Sequence, residues 1–307
     1  MARSHPPTLI TLARRTLTEE CALSRGERIL VAVSGGGDSS ALLHVLSILA
    51  PRLGVTVVAH GVDHGLRPEA SEELDMAEGL AARLGVPFAR TLVDVAPGGN
   101  LQARARDARR AALEQALAVA RATRIATAHH ADDRAETVLI RLLHGAGPKA
   151  LGVLPPVDGP LIRPLIRARK ADVARHLARH GIPFAEDPSN RSQRFLRVRV
   201  RHEVLPLLEQ LSPAIVPHLC ALADEQLGGP APELKDEGGR AVPLKRSQAH
   251  ALRRAFGLGR TVRIRLSGGR EMVVDPKASE VRLGRAPQKR PSRPSGQKGG
   301  AKTRKSG

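Results

Sequence analysis

Residues 28–40 read RILVAVSGGGDSS, and this stretch decides the fold. Arg28 to Val33 has the texture of a buried strand, which runs straight into Gly35-Gly36-Gly37 and then into helix-forming sequence. Glycines let a backbone take positive φ and approach a ligand closely, and the helix that follows aims unpaired N–H groups at that ligand. Such a loop binds phosphate. It is not the Walker loop, because no Gly-Lys-Ser/Thr follows, and it fits G-x-G-x-x-G poorly. An acid, Asp38, stands where phosphates would gather, and a carboxylate tolerates a polyphosphate only with a cation between them, so Asp38 predicts Mg2+. Ser34 and Ser39 supply hydroxyls at the two ends of the loop. A plain turn with Asp38 as a helix N-cap is the blander reading. The order strand, loop, helix favours the first.

Outward from the loop, short β-branched runs alternate with longer helical stretches, the pattern of a parallel sheet with crossover helices. Strands are expected at 28–33, 55–60, 87–93 and 124–128, with helices over 38–49, 69–84, 101–121 and 132–144. The expected class is therefore α/β: a parallel twisted sheet with helices on both faces, followed by a helical subdomain and a small C-terminal α+β appendage. Residues 1–26 read as a helical lead-in and 27–148 as the catalytic domain. Residues 149–168 read as a linker, since 147–170 holds five Pro and has too many breakers for regular elements. Residues 169–227 look helical and basic, 228–240 mark a boundary, and 241–285 form the appendage, with TVRIRL and REMVV as a hairpin. Residues 286–307, rich in Pro, Gly, Ser and Lys, read as a disordered basic tail.

The chain has 307 residues, 49 Lys plus Arg against 30 Asp plus Glu, and a formal charge of +19. Seven of those cations lie in 286–307, which contains no acid, so the remainder still carries +12. That charge asks for a polyanion, nucleic acid first. Aromatics are 1% of the chain, with neither Trp nor Tyr, so the core must be aliphatic and no stacking platform for bases exists. Only two Cys, Cys21 and Cys220, are present and they form no CxxC, which argues against a zinc or iron–sulfur site. No run approaches the length of a membrane span and the first twenty residues lack a signal-like apolar stretch. A cytoplasmic setting with no membrane partner is expected.

A second constellation, AHHADDRAETVLIRLL from Ala128 to Leu143, follows the last expected strand. Asp133 and Glu136, three apart, share one face of a helix at the sheet end where α/β ligands bind. Two carboxylates there could be an acid–base pair, a metal site or a cradle for a cationic substrate. Alternatively, Asp132 is an N-cap and the other two complement the helix dipole. Ala135, Val138, Leu139, Leu142 and Leu143 form the expected buried stripe. His129 and His130 lack a third ligand at characteristic spacing.

These residues resemble a known family. Ser34 to Ser39 looks like the SGGxDS loop of N-type ATP pyrophosphatases, the PP-loop family. HHADDRAETVLIRLLHGAG is similar to the corresponding segment of tRNA(Ile)-lysidine synthases, as are His60-Gly-Val-Asp63-His64-Gly-Leu-Arg67, Gln102 to Arg109, Leu161 to Leu165, and Glu186-Asp187-Pro188-Ser189-Asn190 with its Arg-rich helix. The resemblance runs from about Glu27 to Gln210 in five ordered motifs. It implies that ATP, with Mg2+, adenylates O2 of the wobble cytidine of a CAU-anticodon tRNA(Ile), and that free L-lysine then displaces AMP. It implies further that Ser34, Gly35, Gly36, Gly37, Asp38 and Ser39 hold ATP. Asp133 and Glu136 would hold lysine, with Arg106 and Arg109 near the reacting nucleotide. A homodimer is one assembly the resemblance allows.

The chain departs from the family pattern at Gly61, Gln102, Arg110, Arg134 and Val198. Residues 161–201 carry eleven Lys or Arg against three acids. In that stretch Arg163, Arg194, Arg197, Arg199 and Arg201 are expected to meet tRNA phosphates, with any that fold inward pairing to Glu186 and Asp187. The runner-up enzyme, a 2-thiocytidine synthase, resembles proteins with cluster-binding CxxC pairs that this chain lacks. GMP or NAD synthetases would leave the Arg-rich region without a role. A non-catalytic tRNA-binding protein would have no use for Asp38, Asp133 and Glu136 beside an anion site.

Overall fold

The computed structural model describes residues 7–63, 65, 69–94, 101–185 and 196–227, then 248, 252, 261–265, 270–275 and 280–285. His64, Arg67, residues 186–190, Arg194 and the tail from 286 lie outside the described residues.

The first compact unit spans Met1–Ala231. Its sheet comprises β1 (Arg28–Val33), β2 (Thr56–Asp63), β3 (Phe88–Leu92), β4 (Arg124–Ala126), β5 (Val157–Asp158) and β6 (Leu161–Ile162), in the order β3-β2-β1-β4-β6-β5. All neighbouring pairs are parallel except β5 with β6. Helices α2 (Gly37–Leu53), α3 (Glu69–Arg83) and α4 (Leu101–Val119) make the crossovers. The chain winds outward from β1 to β3, then α4 carries it back to place β4 on the other side of β1. That reversal is the switch point at which open α/β sheets bind ligands, beyond the carboxyl ends of the two strands. The phosphate loop follows β1 and the acidic turn follows β4, so chain topology alone brings the two motifs together.

Alternate residues of β1 are buried on opposite sides, as the continuous apolar run requires. Ile29, Val31 and Val33 join the large cluster with α1 (Leu9–Glu19), α2 and α6 (Lys170–His180). Leu30 and Ala32 pack with Leu113 and Ala116 of α4. Among the described residues no phenylalanine is buried in the core, which is mostly aliphatic, as the composition demanded. The stretch expected to be irregular holds a 3-10 turn at Pro148–Leu151 and both short strands β5 and β6. Two residues of β6 suffice to extend the parallel sheet, because the antiparallel β5 and β4 pair with it on either side. Pro-rich flanks limited the strands without preventing them.

A third cluster joins α5 (Ala131–Leu143) to α9 (Ile215–Leu227) through Ala131, Ala135, Val138, Val216, Leu219 and Ala223. The predicted stripe on α5 is corrected at its end. Leu142 and Leu143 are 44% and 60% exposed, whereas Arg134 is fully buried. The helix packs through its first two turns, where Arg134 donates to Asp224 of α9 at 2.6 Å and to the Val153 carbonyl at 2.9 Å. Arg167 extends this network, bonding Asp224 and, bidentately, Glu20.

The second unit spans Pro232–Gly307. Its described part is an antiparallel meander of β7 (Val262–Arg265), β8 (Arg270–Asp275) and β9 (Glu280–Arg285). The expected two-strand hairpin thus has a third strand, in EVRLGR, whose glycine and charges hid it. Among the described residues no single helix is long and apolar enough to cross a membrane.

Candidate active site

The loop after β1 turns at Gly35, whose φ is +78°. A Cβ there would lie 2.1 Å from the Glu73 carbonyl oxygen on α3, so only glycine fits. Gly36 has φ −71° and is the N-cap of α2, which leaves one left-handed residue among the three glycines. Asp38 is therefore inside the helix and not its cap. Because Gly36 has no side chain, no side chain caps the helix, and the first N–H groups of α2 stay available to an anion. Ser39 Oγ accepts from the Ser34 N–H at 3.1 Å and donates to the Gly36 carbonyl at 2.9 Å, fixing the loop internally. From the far side, the Ala185 N–H donates to the Gly35 carbonyl at 3.0 Å.

The acidic turn is capped by His130, not Asp132. His130 Nδ1 accepts from the Asp133 N–H at 3.3 Å and the Asp133 carboxylate accepts from the His130 N–H at 3.0 Å, a reciprocal capping box. His130 Nε2 then faces Asp38, 3.7 Å away. Burial works to lower the His130 pKa, but Asp38, Asp133 and Asp132 raise it above its ordinary value. Asp38 is partly buried, which alone would raise its pKa. His130 and Lys170 outweigh that and hold it at about 2. His129 is pushed down to about 4 by burial, with Arg163, Arg197 and Arg109 adding to the effect against Asp133. Asp132, released from capping, accepts bidentately from Arg169 at 2.9–3.1 Å and from the Lys170 N–H at 2.7 Å.

The two carboxylates read as one feature do share a cation. Arg197 of α7 (Leu196–Arg199) donates to Glu136 at 2.9 Å and to Asp133 at 3.0 Å. Arg201, in the π-helical turn Val200–Val204, donates to Glu136 at 2.6 and 3.0 Å and lies 3.5 Å from Asp133. Glu136 is 1% exposed. Of the arginines expected on a phosphate-contacting face, these two point inward, four residues apart on one helical face. Arg199 points away, pairs with Glu203 and stays exposed. Arg163 is buried, donating to the Pro155 carbonyl at 2.6 Å, which corrects its assignment to an outer surface.

Ser34, Gly36, Gly37, Asp38, Ser39, Arg109 and Arg201 line one open cavity of about 930 Å³, together with apolar Val173, Leu177 and Phe184. Burial, and then Arg106, lower the pKa of Arg109. Arg106 itself is exposed on α4. Sequence reasoning overlooked Asp132, Arg169 and Lys170 as a connected set. The pairing crosses 37 or more residues, and the only visible sign was the density of basic residues at 161–201. Cys21 and Cys220 are buried in separate clusters, their thiols pushed up to about 12 and about 11 by burial.

Comparison with known proteins gives the family. Residues 10–208 match the model of the PP-loop domain family. The chain is 38% identical over 227 residues to the tRNA(Ile)-lysidine synthase of Thermobifida fusca, covering 73% of this chain and 69% of that protein. The synthases of Symbiobacterium thermophilum and Solibacter usitatus are each 39% identical, over 70% and 65% of this chain. The matches span 47% and 45% of those relatives, so the chain corresponds to about half their length. In fold it is similar to the U34-tRNA thiolase NcsA from Methanococcus maripaludis, solved with its 4Fe-4S cluster. That match has a TM-score of 0.61 at 17% identity, over 75% of this chain and 84% of that one. With a glycine loop and an acidic turn meeting at the switch point of a sheet that matches the PP-loop model, and with this identity to curated relatives, the chain belongs to the tRNA(Ile)-lysidine synthase family of PP-loop proteins.

Proposed function

We propose that this chain ligates free L-lysine to C2 of the wobble cytidine, C34, of a CAU-anticodon tRNA(Ile), converting ATP to AMP and diphosphate. The observation that carries this reading is that Asp133 and Glu136 converge on cations beside the phosphate loop. An enzyme that only cleaved ATP would have no use for a cation cradle there. In the first step O2 of the cytidine attacks the α-phosphorus and diphosphate leaves. In the second, the lysine amine forms the C2–N bond, AMP departs with O2, and the amine proton passes to a base.

The chain's residues suit these steps. Loop N–H groups and the Ser34 hydroxyl would donate to phosphate oxygens, with Ser39 Oγ bracing the loop from within and Arg109 and Arg106 on the nucleotide side. Lysine would enter as a cation held by Asp133 and Glu136, taking over contacts now made by Arg197 and Arg201. Among the described residues no group of three His, Cys, Asp or Glu could hold a metal alone. A single ionised carboxylate, Asp38, fits Mg2+ well, since this ion takes one or two carboxylates and completes its shell with phosphates and water. Bound so, Mg2+ would neutralise charge on the leaving diphosphate. Arg199 and its exposed basic neighbours in 169–227 would contact tRNA phosphates, and a cytoplasmic setting accompanies that substrate.

The test is incorporation of labelled lysine into a CAU-anticodon tRNA(Ile) with Mg-ATP, beside its C34U variant and a methionine tRNA. Label in the first alone is expected. ATP cleavage to AMP without label would overturn lysine as the nucleophile.

A further inference from the structure

The strongest feature that the reaction as stated leaves unused is Lys170, the first residue of α6. Its ammonium lies 2.7 Å from Oδ1 and 2.9 Å from Oδ2 of Asp38, on the carboxylate assigned above to the metal. It lines the same cavity as the phosphate loop, and 57% of its side chain is exposed. The backbone beneath it is fixed. Asp132, at the mouth of the acidic turn, accepts from the Lys170 N–H at 2.7 Å and clamps the preceding Arg169, which also reaches Glu209 at 2.5 Å. A long flexible side chain on a clamped backbone can move its charge within a small radius and nowhere else.

We propose that Lys170 is a phosphate-binding residue with two positions. It neutralises Asp38 while the cavity is empty and transfers to the β- and γ-phosphates when the nucleotide enters; this rests on the reading of Asp38 as the metal-holding residue. The reason is electrostatic. Lys170 occupies both oxygens of Asp38, and a divalent cation taking either of them would repel the ammonium at close range, so occupation of Asp38 favours the departure of Lys170. The triphosphate arriving in the same cavity is the anion its tether lets it reach. Until then, Lys170 keeps a bare carboxylate from repelling the incoming nucleotide. Asp132 acts through Lys170 and is a positioning residue, which gives the first acid of the turn a role distinct from Asp133.

The test measures binding without turnover, on the full chain, with Lys170→Met and Lys170→Arg. Lys170→Met should weaken Mg-ATP binding by about tenfold or more, the value of a charge-assisted contact, and leave AMP binding, which lacks those phosphates, within about twofold. Titrated with Mn2+ alone and followed by electron paramagnetic resonance, the same variant should bind the ion more tightly than wild type, because Asp38 is released. Lys170→Arg should restore ATP affinity over Met. Equal loss of ATP and AMP binding, or unchanged ATP binding, would overturn the proposal. If neither protein binds Mn2+, the assignment of Asp38 falls, while the ATP-against-AMP comparison still decides the role of Lys170.

Discussion

Arg197 Nε donates to Glu136 Oε2 at 2.9 Å, which joins the helix at the end of the basic stretch to the helix of the acidic turn across sixty-one residues of sequence. Glu136 is nearly inaccessible, and Arg201 donates to its other oxygen. A buried carboxylate is stable only with such partners. Under the proposed function, a lysine ammonium that displaced these guanidiniums would meet the same carboxylate acceptors.

Glu136→Gln should therefore raise the apparent KM for lysine by about tenfold to a hundredfold, the range for losing a charged hydrogen-bond partner. The KM for ATP should change little. Steady-state kinetics with each substrate varied separately makes the comparison, and equal effects on both would reduce Glu136 to a structural acid.

Asp38→Ala should abolish tRNA-dependent diphosphate release, by about a thousandfold or more, since electrostatic stabilisation at a charge-developing centre is lost. Asp38 is one-third exposed, so the fold should survive, and circular dichroism would check it. Unchanged diphosphate release would remove Asp38 from the chemistry.

Much of this site was legible because it obeys local rules. A buried strand entering Gly35-Gly36-Gly37 is readable from neighbours in sequence, and so is the three-residue spacing of Asp133 and Glu136. The alternation of strand and helix patterns pointed to a parallel sheet, whereas the β1-to-β4 reversal that joins the two motifs is a matter of strand order, which that alternation does not specify. What escaped was long-range charge pairing. Nothing near Arg197 or Arg201 says that they turn inward to Asp133 and Glu136 while Arg199 stays outside. Nothing near Asp132 says that a histidine two residues earlier takes the capping role and frees its carboxylate for Arg169. Arg134 hid for the same reason: an arginine in a helix pattern reads as solvent-facing, and only the partner on α9 makes its burial tolerable.

That burial has a stability consequence. Arg134 is 0% exposed and its partner Asp224 has a side chain 9% exposed. Asp224→Ala would leave a guanidinium in an aliphatic cluster with only the Val153 carbonyl as acceptor. Destabilisation of about 3 kcal/mol is expected, the usual cost of breaking a buried pair from one side, read as a shift in the urea midpoint. Arg167 keeps Glu20 through Nε and Nη2, but its Nη1 loses Asp224 as well, which adds to the loss. A change below about 1 kcal/mol would mean that the pair is solvated as surface bridges are.

The last expectation concerns pH. His44 of α2 and His176 of α6 meet at 3.0 Å between Nδ1 and Nε2, with the His180 ring 4.5–4.8 Å from both centroids. Burial lowers the pKa of His44, and His180 adds to it. Burial, then His180, His44 and Arg179, bring His176 to about 4 from 6.5. Both imidazoles are thus neutral in the folded protein over a range where the unfolded chain takes up protons. Between about pH 6.5 and 4 the unfolded state binds more protons, so stability falls as pH falls, with a slope from His176 of at most about 1.4 kcal/mol per pH unit. Above pH 6.5 neither state is protonated at these sites and their contribution is flat. Since α6 carries Lys170 at its first residue, loosening of the α2–α6 contact in acid would also disturb the cavity. His176→Gln, which keeps a polar side chain but cannot charge, should flatten the dependence of the urea midpoint on pH across this window while leaving the value at pH 8 nearly the same. A variant as acid-sensitive as wild type would shift the origin of that sensitivity to other groups, with the carboxylates around His130 next in line.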